Sequence, residues 1–334
     1  MRTLIIGLGR IGRLVARHLL NSPEANHWVG AVEITEDAAL FAYLLNHDST
    51  YGHLDPSIQA TSDCLMTATG QQIPLFSSVE SALAACTPDL IIECSGDPHI
   101  ADVLVKRAPE THWRVLFSSQ TEAVKGKPET FVWVDGVNHT DFDPKLHRFV
   151  VNPGCLNNCL IPTLSALNAT NTILAGTFVS VHSVTSTQPV LDHVAKHARW
   201  SRAAYDNLIP AGHDPSQLIA RFFPTLGPRL IGRTVRAPVS HTSYVTLTLK
   251  MASALTVESL KAAFQKSHIP PHVLGIDSRP LVSSDYRCDG RSAIIDGTSL
   301  RVLEDNTAFF SAWYNNEWAF AQRMTDIRCT LANL

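Results

Sequence analysis

Thr3-Leu4-Ile5-Ile6-Gly7-Leu8-Gly9-Arg10-Ile11-Gly12 is the stretch on which the fold turns. Residues 3–6 predict a short apolar strand, and Ile11, Leu14, Val15, Leu19 and Leu20 recur at helical spacing behind it. Between them stands GxGxxG. Gly7 permits a tight turn, Gly9 lets backbone approach a pyrophosphate, and Gly12 lets helix and strand pack closely. The free backbone N–H groups at the helix start favour an anion. Trp28–Val32 predicts the next strand, and Glu33 ends it. An acid there accepts from a ribose 2′-hydroxyl and repels a 2′-phosphate, which favours NAD over NADP. A lone GxGxxG is a weak signal; the strand, the helix and the spaced acid together carry this reading.

Outward from this unit, Asp89–Glu93 and Arg114–Phe117 predict further strands, with helices near 79–86 and 99–107. Alternating strands and helices imply an α/β fold with a Rossmann-type parallel sheet covered on both faces. After about residue 150 the pattern changes. Thr177–Ser183, Arg233–Ala237, Tyr244–Lys250 and Thr307–Trp313 are β-branched or aromatic runs, with helices expected at 155–167 and 256–266. They predict an α+β domain with a mostly antiparallel sheet. The expected division is a nucleotide-binding domain at 1–151, a catalytic domain at 152–316, and a final helix, 317–334, packing back on the first.

The chain has 334 residues, 45% hydrophobic and 17% charged, with a net charge of −3, as a globular protein of two domains would. No basic stripe supports nucleic-acid binding. No apolar run reaches the roughly 18 residues of a membrane span, and the N-terminus lacks a signal-peptide cleavage site. Seven scattered cysteines make no disulfide framework, so a reducing, cytoplasmic setting is expected. Metal-ligand spacings are missing, and no metal site is expected.

In Val150-Val151-Asn152-Pro153-Gly154-Cys155-Leu156-Asn157-Asn158-Cys159, a strand and a turn place Cys155 at a helix start. The helix terminus, and any nearby imidazole, would favour the thiolate. An isolated cysteine is more often a small core residue, and Cys159 is read that way.

At this point the chain resembles the glyceraldehyde-3-phosphate dehydrogenase family over nearly its whole length. The likeness rests on Gly7–Arg13, Leu45-Asn46-His47-Asp48-Ser49-Thr50-Tyr51-Gly52, Asn152–Cys159, His182-Ser183-Val184-Thr185-Ser186-Thr187-Gln188 and Trp313-Tyr314-Asn315-Asn316-Glu317-Trp318, in that order. Residues 221–224, 280–285 and 292–298 are similar to its erythrose-4-phosphate dehydrogenase branch. The resemblance implies Cys155 as nucleophile, with its N–H as an oxyanion donor, and His182 as base. It further implies Asn316 on the nicotinamide carboxamide, the backbone of Arg10 and Ile11 on the pyrophosphate, and Ser118 as a cofactor contact. Thr185, Thr187 and Arg236 would hold a phosphorylated aldose, and Arg202 is the branch's substrate arginine. A homotetramer is implied, with 183–201 near a subunit interface. Apart from the motif, His182 reads equally as a core or surface histidine, and Arg236 as the partner of a structural carboxylate.

Three departures fall together. The family's Ser and Thr flanking the nucleophile are Gly154 and Leu156 here, and a further Thr is replaced near His213. Those hydroxyls would donate to attacking inorganic phosphate, so weak phosphate binding is expected, with the acyl group released by water or by phosphate bound in an altered way. Protonated His213 would restore part of the site. A non-catalytic NAD-binding homologue and a simple aldehyde reductase are the competing readings.

Overall fold

The computed structural model describes every residue except Glu24, Lys196 and residues 212–215. These residues form two compact units: 1–133 with 138–154 and 321–334, and 134–137 with 155–320.

The first unit carries β1 (Thr3–Ile6), β2 (Trp28–Val32), β3 (His47–Asp48), β4 (Gly52–His53), β5 (Gln59–Ala60), β6 (Cys64–Met66), β7 (Gln72–Phe76), β8 (Leu90–Glu93), β9 (Arg114–Phe117), β10 (Thr130–Val132) and β11 (Phe149–Val151). Its helices are α1 (Arg10–Leu20), α2 (Ala38–Asn46), α3 (Val79–Cys86) and α4 (Pro98–Arg107). Nine strands form one sheet in the order β10-β11-β9-β8-β1-β2-β7-β6-β5, while β3 and β4 pair as a separate hairpin. All four residues of β1 are buried, as a strand covered on both faces requires.

The sheet is parallel from β10 to β7, but β6 and β5 add to it antiparallel. The parallel part is the Rossmann-type sheet that the alternating strands and helices predict, and the antiparallel pair extends it. Residues 67–71 join β6 to β7 through a turn in which Gly70, at φ +82°, donates to Thr67 O at 2.9 Å. So short a link cannot cross the sheet and permits only an antiparallel pair.

Glycine placement in the β1–α1 turn follows the expected division of labour. Gly7 sits at φ +86°. A Cβ on Gly12 would lie 1.8 Å from Gly7 O, inside van der Waals contact with backbone that cannot move aside. Gly12→Ala is therefore expected to cost at least the ~1–3 kcal/mol typical of overpacking. Calorimetry checks this, and an unchanged Tm would show that the turn relaxes freely.

The second unit carries β12 (Ile173–Ser183), β13 (Ile209–Ala211), β14 (Leu230–Ala237), β15 (Ser243–Met251), β16 (Leu274–Asp277), β17 (Ala293–Leu303) and β18 (Thr307–Tyr314). Its helices are α5 (Cys155–Asn168), α6 (Ser216–Phe222) and α7 (Val257–Gln265). The sheet order is β13-β14-β12-β15-β18-β17-β16; β12–β14 and β16–β17 are parallel and the other pairs antiparallel. Strand periodicity sorts the two faces. On β15, Val245, Leu247, Leu249 and Met251 enter the core beneath α5 and α7. On β12, Phe178, Ser180 and His182 point inward, whereas Val179 and Val181 are exposed.

The unit boundary falls at 154/155 rather than 151/152, with residues 134–137 going to the second unit. Val134 belongs to that unit's core, and Gly136 lies so close to Pro270 that a Cβ would come within 2.5 Å of its ring.

The last helix, α8 (Trp318–Ala332), joins the first unit from Ala321 onward. Its buried Arg328 donates to Met1 O at 2.8 Å and to Thr3 Oγ1 at 3.2 Å, tying the last helix to the start of β1. No described helix is long and apolar enough to cross a membrane.

Candidate functional site

In the first unit a cleft of about 430 Å³ opens at the C-terminal ends of β1, β2 and β8, the usual position for a ligand in a sheet of this type. Gly7, Gly9, Glu33, Ser78, Ser95 and Asp97 are among its lining residues. Gly9 caps α1 without a side-chain hydrogen bond, and no atom stands within 4 Å of where its Cβ would be. An open, side-chain-free helix start suits a pyrophosphate.

Glu33 reaches back to this turn. One carboxylate oxygen accepts from the Leu8 N–H and the other from the Ile34 N–H at 3.0 Å. The Arg10 side chain turns elsewhere: it pairs with Asp48 and lies over the Tyr51 ring, 5.1 Å from its centroid. The backbone of Arg10 and Ile11 opens α1, as the sequence implies. Ser118 donates its N–H to Glu93 O at 2.9 Å, and the Cys94 thiol lines the cleft. Burial pushes that thiol far up, so Cys94 stays protonated.

Sequence reading passed over Glu93. Its buried carboxylate accepts from the Ser95 and Gly96 N–H groups at 2.7 and 3.1 Å and shapes the turn at the cleft floor. An acid at the end of a wholly apolar strand was the available signal.

In the second unit Cys155 is the first residue of α5, with its Sγ 3.4 Å from His182 Nε2. His182 comes from the inward face of β12, and the β12–β14 register sets Arg236 directly beside it. Arg236 NH1 meets His182 Nδ1 and donates to Ser183 O at 3.1 Å; His182 Nδ1 also lies 2.7 Å from that oxygen. The imidazole is thus held on one edge by a carbonyl and a guanidinium, leaving Nε2 for the sulfur. Tyr314 packs edge-on against the ring at 5.8 Å, and its hydroxyl bonds Ser180 Oγ at 2.7 Å.

Burial pushes the Cys155 thiol up. Against it act the Arg236 charge and the N–H groups of Leu156 and Cys155 itself, while Glu317 adds to the rise. The sequence predicts a thiol lowered by its helix position. Those helix-start donors are present, but desolvation of the sulfur outweighs them. Arg236→Leu removes the opposing cation, and the pH midpoint of Cys155 alkylation by iodoacetamide should move upward. A midpoint that stays put or falls would show that Arg236 does not support the thiolate.

Asn316 accepts from Ser183 Oγ at 2.6 Å, while its Nδ2 is buried without a hydrogen-bond partner, as is Arg236 Nε. An unpaired buried donor is costly unless a ligand satisfies it. Thr185 and Thr187 bring their hydroxyls within 3.0 Å of each other. Gln188, missed in the sequence, organises them: its Oε1 accepts from the Thr185 N–H at 3.0 Å and its Nε2 donates to Thr187 Oγ1 at 2.7 Å.

Other expected site residues fall differently. The Leu156 side chain lies in the hydrophobic core, so at the sulfur it offers only its N–H. Gly154 has φ +95°, a conformation that disfavours any side chain. Arg202 forms an exposed ion pair with Asp192 at 2.9 Å, and no described contact joins it to the cysteine centre. His213 lies outside the described residues. Cys159 is buried in the core, the bland role expected of it.

A βαβ dinucleotide cleft in one unit and a thiol–imidazole pair in the other are the parts of an NAD-dependent oxidoreductase. Residues 1–99 match the family model for the glyceraldehyde 3-phosphate dehydrogenase NAD binding domain, and residues 154–316 match the C-terminal domain of the same enzyme. The chain is 31% identical to glyceraldehyde-3-phosphate dehydrogenase 1 of Bacillus cereus, covering 97% of this chain and 96% of the relative. It is 32% identical to glyceraldehyde-3-phosphate dehydrogenase 1 of Trichormus variabilis, over 98% and 95%, and 30% identical to the Geobacillus stearothermophilus enzyme, over 98% and 97%. The chain belongs to the glyceraldehyde-3-phosphate dehydrogenase family, and NAD is its cofactor.

Proposed function

We propose that this protein oxidises a phosphorylated aldose, with glyceraldehyde 3-phosphate the favoured substrate, through a thioacyl intermediate on Cys155. The observation that carries this reading is the 3.4 Å approach of Cys155 Sγ to His182 Nε2 at the start of α5. His182 takes the thiol proton as sulfur attacks the aldehyde carbon, giving a hemithioacetal. The Cys155 N–H at the helix start stabilises the oxyanion. Bound NAD supplies the hydride acceptor. Gly7, Gly9, Gly12, Glu33, Ser118 and the α1 backbone hold it, and the unpartnered Asn316 Nδ2 is the donor suited to its carboxamide. Thr185, Thr187 and the guanidinium of Arg236 take the substrate phosphate, since a planar fork of donors matches its oxygens.

Release of the acyl group is where this chain departs from its family's pattern. Leu156 has its side chain in the core and Gly154 has none, so neither supplies a hydroxyl to an incoming phosphate. Each missing charge-assisted bond costs about 1.5–3 kcal/mol. This favours a second reading in which water releases the acid, as an erythrose-4-phosphate dehydrogenase with hydrolytic deacylation would. Steady-state NADH formation from both aldose phosphates, each with and without inorganic phosphate, tests substrate and acceptor together. Turnover of glyceraldehyde 3-phosphate with little phosphate dependence is expected. Strong, saturable acceleration at low phosphate would sink the hydrolytic reading, and NAD binding without turnover would favour a non-catalytic homologue.

The exposed Val179, Val181 and Ile231 on the outward face of the second sheet support a homo-oligomer, with a tetramer the expected form. Its seven free cysteines support a reducing, cytoplasmic setting.

A further inference from the structure

The β3–β4 hairpin holds a pair of histidines that the dehydrogenase chemistry does not use. His47 and His53 face each other across the antiparallel ladder, both exposed, with their Nδ1 atoms 3.0 Å apart. Two imidazoles bound to one ion at metal–nitrogen distances near 2.0–2.1 Å hold their nitrogens roughly 2.9–3.4 Å apart, for angles between square and tetrahedral. The pair already has that spacing.

The hairpin backbone is fixed by other contacts. Asp48 Oδ1 accepts from the Thr50 and Tyr51 N–H groups, each at 2.9 Å, and Asp48 Oδ2 is paired with Arg10. Arg17 donates to Gly52 O at 2.6 Å, and Leu54 N–H donates to Asn46 O at 2.9 Å. Gly52, at φ +72°, makes the return turn. Two ring nitrogens on so fixed a frame lose little freedom when they close on an ion.

We propose that His47 and His53 form a two-imidazole site for an imidazole-preferring divalent cation of the nickel, copper or zinc class, with water completing the coordination shell. Exposure leaves room for those waters. In the ion-free pair one Nδ1–H donates to the other Nδ1; on binding, that proton passes to the donor ring's own Nε2, so both neutral imidazoles present a lone pair to the ion.

Calorimetric titration of the full chain carrying Cys155→Ala, which removes the competing active thiol, tests the site with Ni(II). One equivalent should bind, with affinity falling at least tenfold in His47→Asn and in His53→Asn, and no further in the double variant. Full affinity in either single variant overturns the proposal. Electron paramagnetic resonance of one equivalent of Cu(II) on the same Cys155→Ala chain, with both histidines intact, provides a reading independent of how the histidine variants fold. Two coordinated imidazole nitrogens support the site, and a spectrum with one imidazole, thiolate or oxygen ligands alone overturns it.

Discussion

Cys155→Ser is expected to lower NADH formation by roughly 10⁴- to 10⁶-fold, the range seen when a covalent nucleophile is removed. That is about 5–8 kcal/mol of transition-state stabilisation. Serine keeps the size and the α5 position, but its hydroxyl is a far weaker nucleophile than a thiol and His182 would have to remove a much less acidic proton. NAD binding, followed by calorimetry, should be unchanged, because the glycine turn, Glu33 and the cleft belong to the first unit. Activity that survives the substitution would point to direct reduction or oxidation of a free carbonyl on the same cofactor fold. Loss of NAD affinity along with activity would instead indicate a structural role for Cys155.

His182→Asn carries the second largest expected effect, a fall of about 10²- to 10⁴-fold in kcat/KM at neutral pH. Asparagine retains a polar group beside Arg236 and Ser183 O but takes no proton from sulfur. The diagnostic is pH dependence. Burial already holds the Cys155 thiol above its ordinary range, so without a base the thiolate forms only as pH rises through that elevated value. The deficit should therefore shrink steadily toward alkaline pH, and alkylation of Cys155 should be slow at neutrality but recover at high pH. A deficit constant across pH would mean that His182 only positions its neighbours. Thermal melts guard against the trivial outcome, since His182 is 5% exposed and its replacement disturbs the packing of Tyr314.

The site's geometry explains why its two halves were unequally legible. Cys155 and His182 each stand in a motif, but 27 residues separate them, and their 3.4 Å approach exists because α5 begins where the inward face of β12 ends. Tyr314 and Gln188 lay inside recognised motifs yet carried no signal of their own. Tyr314 matters through a ring packed on His182, and Gln188 through hydrogen bonds that set two threonine hydroxyls. The acidity of the Cys155 thiol divides in the same way. Helix position and imidazole proximity can be inferred along the chain, whereas desolvation depends on everything packed around the sulfur.

What the amino-acid order determined by itself is local or periodic. The β1–α1 turn needs glycine at 12 because Gly7 O passes too close for any Cβ, and at 7 because the turn puts φ at +86°, and both constraints act within the turn itself. Strand alternation likewise separates Phe178, Ser180 and His182 from Val179 and Val181 before any partner strand is known. Tertiary structure alone decided two things: the register that sets Arg236 beside His182, and the turning of the Leu156 side chain into the core. Each depends on which strand or helix lies across from a residue. That choice is made by the free energy of burying whole faces together, to which no single residue's spacing gives access.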